Sequence, residues 1–244
     1  MLTELAVILD RSGSMANVAS DIQHGFDHFI EEQKANPVGA CKVSLTQFDS
    51  LAVETIYNGT PLAEVPKMIL RPRGNTPLLD AIGKTIAALK ERLDREAAPA
   101  EGRRVLVMIL TDGQENASRE YTRAQIKALI EAQTAAGWDF MYLGANVDAF
   151  TEISSLGIQV QNSSGYTSDS AGVARSLSSI SSRVSDYRTS GNASFTDQER
   201  SVIGHSAPAP SPVDPTIVQA IAIRKAASAA TRAATPTPVD RITP

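Results

Sequence analysis

The sequence has little of several features that mark particular classes of protein. Its 244 residues include one cysteine, Cys41, so no disulfide can form within the chain. Acidic residues outnumber basic ones and the net charge is −4, whereas nucleic-acid binding needs a clustered basic surface. No apolar run approaches the roughly 18 residues of a membrane span. We therefore expect a protein without disulfides, nucleic-acid partners or membrane partners.

A secretory leader is another feature that the sequence does not show. The apolar run Leu5–Leu9 is short, has no basic residue before it and leads directly into a polar cluster. The expected location is therefore the cytoplasm of the producing cell. Cys41 stands at the start of another apolar stretch, which favours a buried structural thiol over a reactive one.

Short apolar runs predict the strands of a globular domain. The runs Leu5–Leu9 and Val105–Leu110 are nearly continuous, as in parallel strands that are covered on both faces. The two-residue link Asp49-Ser50 permits only a hairpin, so the strand after it should be antiparallel and lie at an edge. The predicted strands are Leu5–Leu9, Lys42–Phe48, Leu51–Tyr57, Val105–Leu110, Phe140–Leu143 and Ile158–Val160.

Apolar residues at helical spacing fill the gaps between these strands. Four stripes of this kind lie within Val18–Ile30, Leu78–Leu93, Ile126–Ile130 and Val173–Val184. A further short helix is predicted over Asp148–Ser155. The alternation predicts a doubly wound α/β fold with helices on both faces. Its sheet should be mostly parallel and six-stranded, with one antiparallel edge strand.

The composition changes near residue 204. Residues 204–244 contain 10 alanines and 7 of the chain's 13 prolines. The proline-rich stretches at both ends of this segment favour extended, unpacked chain, and the stretch between them can form one Ala-rich helix. We predict a domain over residues 1–203, followed by an Ala/Pro-rich tail with an optional short helix.

Oxygen-bearing side chains stand where two predicted strands end. Asp10, Ser12 and Ser14 follow the first strand at alternate positions, and Asp112 follows the fourth. Thr76 precedes a proline suited to a first helical turn, so Thr76 is predicted as the N-cap of the second helix. In open α/β sheets, ligands bind at the carboxyl ends of the strands. Two carboxylates and three hydroxyls at that edge suit Mg²⁺ or Ca²⁺.

This pattern resembles the metal-ion-dependent adhesion site of von Willebrand factor A (vWA) domains. Asp10, Ser12 and Ser14 form a D-x-S-x-S motif. Thr76 and the T-D-G that contains Asp112 complete the five motif positions. The resemblance implies a vWA/Rossmann-like fold. The chain is also similar to bacterial and phage intracellular members, including tellurium-resistance-associated ones, through "MYLGANVDAFTEISSLGI".

The resemblance also implies a role for each residue. Ser12, Ser14 and Thr76 would bind the metal directly, whereas Asp10 and Asp112 would act largely through water. Neutral hydroxyl ligands leave a cation incompletely neutralised, which makes a partner's Asp or Glu a favourable last ligand. We therefore expect a non-enzymatic, metal-dependent protein-binding module. Mg²⁺ is the expected ion, with Mn²⁺ or Ca²⁺ as alternatives.

Partners are implied by the resemblance alone. They include an AAA-type ATPase, or a kinase and phosphatase encoded in the same stress or defence operon. Arg71 and Arg73 lie close to Thr76 in the chain and are predicted to form a rim that favours an acidic partner. The alternative for both arginines is solvated charge.

Simpler interpretations of the same residues stay open. Ser12 and Ser14 could cap the helix that starts near residue 17, and Asp112 with the following glycine could form only a turn. His24 and His28 stand one helical turn apart, a spacing that can bind zinc. However, a glycine stands between them where a zinc-protease helix carries its glutamate, so a solvated helix face is favoured.

Two other functions compete with the binding module. A metal-dependent phosphohydrolase would use Asp10 or Ser12, with Arg11 and the two rim arginines as phosphate clamps. No histidine or lysine is placed by a motif at this edge, which disfavours that chemistry. A structural or virion-associated protein would use the domain as an assembly unit and the tail as a docking arm, and a phage gene would place it in the virion.

Removing Gly204–Pro244 should leave the fold intact, because the segment lacks a core-forming apolar stripe. Thermal unfolding of the full-length and shortened chains checks this, and the two midpoints should agree closely. An insoluble shortened chain, or one that melts far lower, would show that the tail packs on the domain.

Overall fold

The computed structural model describes residues 1–36, 38–97, 99, 102–145 and 149–203. The strands in these ranges are β1 Leu2–Asp10, β2 Ala40–Asp49, β3 Ala52–Pro61, β4 Arg103–Thr111, β5 Trp138–Ala145 and β6 Ser163–Tyr166. They form one sheet in the order β3-β2-β1-β4-β5-β6. Every neighbouring pair is parallel except β2 and β3, which makes β3 an antiparallel edge strand. The predicted sheet is confirmed.

Helices connect these strands. Within the described ranges they are α1 Ala19–Ala35, α2 Leu78–Arg95, α3 Arg123–Ala135, α4 Ala149–Leu156, α5 Ser170–Ser190 and α6 Asp197–Ile203. The four predicted apolar stripes lie on α1, α2, α3 and α5. The predicted short helix corresponds to α4, although Asp148, its predicted first residue, lies outside the described residues. Helix α6 is absent from the prediction.

The last strand is the element that the sequence misplaces. The predicted strand at Ile158–Val160 is wrong, because β6 begins only at Ser163, after a 3-10 helix at Val160–Asn162. Ile158 instead packs in the hydrophobic core beneath the sheet. Strand β6 reads Ser-Ser-Gly-Tyr and is buried throughout, and its first three residues carry little of the apolar, β-branched signal of a strand.

Two hydrophobic cores lie on opposite faces of the sheet. Leu5, Val7 and Leu9 of β1 pack in one core with the apolar faces of α1 and α5. Ala6 and Ile8, which alternate with them, pack in the other core with α2, α3 and α4. Because β1 is covered on both faces, its apolar run is nearly continuous. The predicted placement of helices on both faces is confirmed.

The carboxyl ends of β1 and β4 lie side by side at the centre of the sheet. Leu9 is in register with Leu110, so Asp10 and Thr111 follow at the ends of adjacent parallel strands. The strand order runs outward from this pair in both directions, which makes it the switch point of the topology. Crevices at such points are the usual ligand sites of open α/β sheets.

Two further predictions concern the rest of the chain. None of the described helices is long and apolar enough to cross a membrane. The predicted tail, residues 204–244, lies outside the described residues together with its optional helix. The division into domain and tail therefore stays a prediction.

Candidate metal centre

Three chain segments meet at the switch point, and backbone hydrogen bonds fix their spacing. The segment after β1 is joined to the segment before α2 twice: Gly13 N donates to Gly74 O at 2.9 Å, and Arg73 N donates to Arg11 O at 2.8 Å. The loop after β4 joins the same segment, because Asn116 N donates to the carbonyl of Thr76 at 3.1 Å. All five predicted metal-site residues lie on these three segments.

The hydroxyl groups of Ser12 and Ser14 contact each other, and that of Ser14 contacts Asp112. Their Oγ atoms lie 2.9 Å apart, and Ser14 Oγ donates to Asp112 Oδ1 at 2.5 Å. Ser14 and Asp112 are 98 residues apart in the chain. The alternate spacing in the D-x-S-x-S motif therefore does bring the two hydroxyls together, as predicted.

Asp10 lies at the buried centre of the site and is fully inaccessible to solvent. Its Oδ1 accepts from Ser12 N at 2.7 Å and its Oδ2 accepts from Thr111 Oγ1 at 2.6 Å. Burial raises the pKa of Asp10 to about 6, although these hydrogen bonds lower it and the nearby Asp112 raises it further. The sequence did not reveal the orienting role of Thr111.

Thr76 is the fifth predicted metal-site residue, and its hydroxyl lies beside Gly113. A β-carbon placed on Gly113 would lie 3.0 Å from Thr76 Oγ1 and 3.4 Å from Ser14 Oγ. The hydroxyls of Ser14, on the segment after β1, and of Thr76, on the segment before α2, therefore flank the same small space, which any side chain at residue 113 would fill. Thr76 is 3% exposed, so its hydroxyl lies inside the site and away from bulk solvent.

The donor set fits a hard divalent cation. Burial also raises the pKa of Asp112, and the described groups that act on the pKa of Asp10 include no cation. A divalent cation would offset the cost of burying these two carboxylates side by side. Among the described residues, no group of three or more His, Cys, Asp or Glu side chains could hold a metal. A metal here would depend on hydroxyl oxygens, which suit Mg²⁺ better than zinc.

The predicted N-cap at Thr76 is wrong, and the alternative capping role of Ser12 is not observed. Helix α2 begins at Leu78 with Pro77 at its N-cap, so Thr76 precedes the cap. Ser12 makes no side-chain hydrogen bond that would cap the 3-10 helix that follows it, and α1 has Val18 at its N-cap. Local capping therefore does not account for the hydroxyls at Ser12 or Thr76.

The amides of α2 are satisfied by residues that are distant in sequence. Glu115 Oε2 accepts from Leu79 N at 2.9 Å, and Ser118 Oγ accepts from Asp80 N at 3.1 Å. Asp80 in turn accepts from three consecutive backbone amides of the loop after β4, those of residues 119–121, at 2.9 Å each. Sequence reasoning missed this exchange, because its partners lie 36 to 41 residues apart.

The arginines at the edge of the site are partly engaged. Arg11 Nε donates to Asp49 Oδ2 at 2.6 Å, and Arg73 Nε donates to the same oxygen at 2.9 Å. Burial would raise the pKa of Asp49, but hydrogen bonds, that of Arg73 first among them, hold it below its ordinary value. Arg71 is exposed. Of the two predicted rim arginines, Arg73 is therefore held by a carboxylate of the chain itself.

The two histidines of α1 lie on its exposed face, as favoured from the sequence. His24 Nδ1 lies 3.2 Å from Ser20 Oγ, whereas His28 Nε2 lies 3.3 Å from Glu32 Oε1. Each ring thus has its own neighbour on the helix. These contacts are those of a solvated helix surface.

Comparison with known proteins identifies the fold of the chain but does not assign it to a family. No family model matches the sequence, and no curated protein matches it. The chain is similar in structure to the pilus adhesin SpaC of Lactobacillus rhamnosus GG, with a TM-score of 0.57 and 13% identity over 75% of this chain and 30% of that one. The minor pilin PilB of Streptococcus sanguinis gives a TM-score of 0.55 and 12% identity over 76% and 61%.

A third similar structure carries a metal. Proximal thread matrix protein 1 of the mussel byssus, in a form with a zinc-occupied MIDAS motif, gives a TM-score of 0.52 and 15% identity. The match covers 75% of this chain and 46% of that one, so the chain spans about half of that protein's length. Identities this low establish the fold alone. The fold is vWA-like.

The raised pKa of Asp10 predicts how stability depends on pH without metal. The folded protein binds the proton more tightly than the unfolded chain between the ordinary pKa of 3.8 and about 6. Folding stability should therefore fall as pH rises through this window, by at most about 3 kcal/mol. Urea unfolding in EDTA, measured from pH 4 to 7, gives the stability at each pH.

The matched control is Asp10→Asn, which keeps the shape of the side chain and carries no titrating charge. The difference in stability between Asp10→Asn and the wild type should grow with pH across the window. Parallel curves for the two proteins would contradict the assignment of a buried, uncompensated carboxylate.

Proposed function

We propose that this chain is a metal-dependent protein-binding module of the vWA type, which captures a partner's carboxylate through a divalent cation. The observation that carries this proposal is the meeting of three hydroxyls and two buried carboxylates at the switch point of the sheet. The five residues match the motif of a metal-ion-dependent adhesion site in order and in type.

Each residue has a distinct task in this proposal. Ser12, Ser14 and Thr76 would hold the ion through their hydroxyl oxygens. Asp10 and Asp112 would orient those hydroxyls and the water bound to the ion, since carboxylates beside first ligands fix their direction. The bound ion supplies a positive charge that these neutral ligands leave incompletely neutralised. A glutamate or aspartate of a partner protein is the ligand that matches it.

Mg²⁺ is the proposed ion, with Mn²⁺ and Ca²⁺ as alternatives. Oxygen ligands of this kind favour hard cations. The zinc-occupied MIDAS motif of the mussel byssus protein supports a divalent cation at such a site in general. For this chain, the proposed partner is another protein in the cytoplasm, with an AAA-type ATPase or an operon-encoded kinase or phosphatase as candidates.

A role without enzymatic activity is supported by the contacts of the arginines that phosphate hydrolysis would need as clamps. The candidate clamps Arg11 and Arg73 are both hydrogen-bonded to Asp49. These contacts support binding over phosphate hydrolysis.

A structural role is the second candidate. The similar structures named above are a pilus adhesin, a minor pilin and a thread matrix protein. An assembly unit of a virion or another large complex would use the same fold in a stoichiometric, metal-independent contact. Dependence on the ion therefore separates the two functions.

Ser12→Ala should abolish Mg²⁺ and Mn²⁺ binding while far-UV circular dichroism stays native. The variant removes one proposed ligand oxygen from a site that offers few others. Titration calorimetry with each ion measures the loss. Ser178→Ala, an exposed serine on α5, is the control and should bind like the wild type. Unchanged binding by both Ser12→Ala and Asp10→Ala would refute the site.

Capture of a carboxylate should make partner binding depend on the ion and on Thr76. A partner recovered from the producing cell should associate with the wild type in Mg²⁺, and should do so far more weakly in EDTA or with Thr76→Ala. Surface plasmon resonance measures both rates. If EDTA leaves the wild-type complex unchanged, the structural function replaces the binding function.

The rim is best tested at Arg71. Arg71→Glu should mainly slow association, with an effect that shrinks at high salt, because rim charges act on the rate of encounter. Arg73→Glu is a poorer probe, since it would place a second carboxylate against Asp49.

A further inference from the structure

Thr76 is held by one residue of the loop after β4 through two reciprocal hydrogen bonds. Thr76 N donates to Asn116 Oδ1 at 2.9 Å, and Asn116 N donates to Thr76 O at 3.1 Å. The two residues are 40 positions apart. Both backbone polar groups of Thr76 are thus satisfied by Asn116, and the described structure gives the Thr76 hydroxyl no hydrogen-bond partner. The hydroxyl stays available to an ion while its backbone is fixed.

Asn116 itself belongs to a loop that several hydrogen bonds hold in place. Beside it, Glu115 accepts hydrogen bonds from the amides of residues 117 and 118 and from Leu79 N. Further along, Asp80 of α2 accepts from the amides of residues 119–121. The loop is therefore fastened to the first turn of α2 on both sides of Asn116. Because Asn116 is held in this way, its two hydrogen bonds also fix the position of Thr76.

The same loop also carries Asp112, which accepts the hydroxyl proton of Ser14. Asn116 thus connects the threonine of one segment to the loop that bears the second carboxylate. The distance between these two groups is set by protein contacts and does not have to be set by an ion.

We propose that Asn116 is a positioning residue of the metal centre, which uses its side-chain oxygen to hold Thr76 where its hydroxyl can serve as a ligand. This inference rests on the metal site proposed above. Asn116 does not contact the ion in this role. It fixes the backbone of a ligand in advance, so that binding does not have to order the segment before α2.

The chemistry of the contact identifies the informative substitutions. Asn116→Ala removes the acceptor for Thr76 N but keeps the backbone bond from residue 116 to Thr76 O. Asn116→Asp keeps an acceptor oxygen at the same place. Because Asn116 is exposed, truncation creates no cavity, and the fold should persist. Asn75→Ala is the matched control, since this exposed side chain adjoins Thr76 and makes no hydrogen bond in the described structure.

Two measurements on the full chain test the role. Calorimetry with Mn²⁺ and with Mg²⁺ should show that Asn116→Ala weakens binding by about 10- to 100-fold, the usual loss when a support of a metal ligand is removed. Asn75→Ala should bind like the wild type. Asn116→Asp should bind at least as tightly as the wild type, since it retains the acceptor and adds negative charge.

Hydrogen exchange of the Thr76 amide in EDTA distinguishes two effects of residue 116 on metal affinity, the positioning of Thr76 and the charge of its own side chain. By nuclear magnetic resonance, this amide should be protected in the wild type, Asn75→Ala and Asn116→Asp, and should exchange faster in Asn116→Ala. Loss of protection together with loss of affinity supports the proposal. Rescue of affinity by Asn116→Asp without rescue of protection overturns it, because charge alone would then act.

The remaining outcomes are also distinct. A wild type that binds metal, with Asn116→Ala binding equally well, overturns the positioning role and leaves the proposed function standing. A wild type that binds neither ion overturns the proposed function, and the positioning role with it.

Discussion

A carboxylate buried at the centre of the sheet is the constraint around which this edge of the protein is built. Asp10 lies between the ends of two parallel strands, where solvent does not reach it. A buried charge without a counter-charge costs several kcal/mol, and hydrogen bonds from Thr111 and the backbone of Ser12 offset only part of that cost. The neighbouring Asp112 adds a second negative charge. The hydroxyls of Ser12, Ser14 and Thr76 lie beside these two carboxylates.

The loop after β4 is joined to α2 by several hydrogen bonds. A helix begins with amides that have no partner within the helix. In α2, Glu115 and Ser118 of the loop satisfy the amides of Leu79 and Asp80, and the Asp80 carboxylate satisfies amides of the loop in return. Helix α2 and the loop therefore hold each other in a fixed arrangement. Such preorganisation favours the binding of a charged ligand, because the protein groups do not have to move when the ligand binds.

The sequence predicts those features that short-range rules govern. Alternation and apolar runs identify β1 and β4, and hydroxyls two residues apart identify Ser12 and Ser14 as neighbours. Hydrogen bonds between residues far apart in the chain leave no comparable local pattern in the sequence. Nothing local marks Asn116 as the partner of Thr76, and the predicted N-cap at Thr76 is wrong because the amides of α2 are capped from a distant loop. Strand β6 escapes prediction because tertiary burial, and not its small residues, makes it a strand.

The alternation at the end of β1 has a consequence for insertions and deletions. Asp10 turns toward Thr111 at the end of β4, whereas the next residue, Arg11, turns toward the β2–β3 hairpin and pairs with Asp49 and Glu54. Neighbouring residues thus belong to two separate groups of polar side chains. A one-residue slip of β1 against β4 turns each of its side chains to the opposite face. In one direction the slip brings Arg11 to the place of Asp10 and separates it from Asp49 and Glu54, so one deleted residue would disrupt both groups at once.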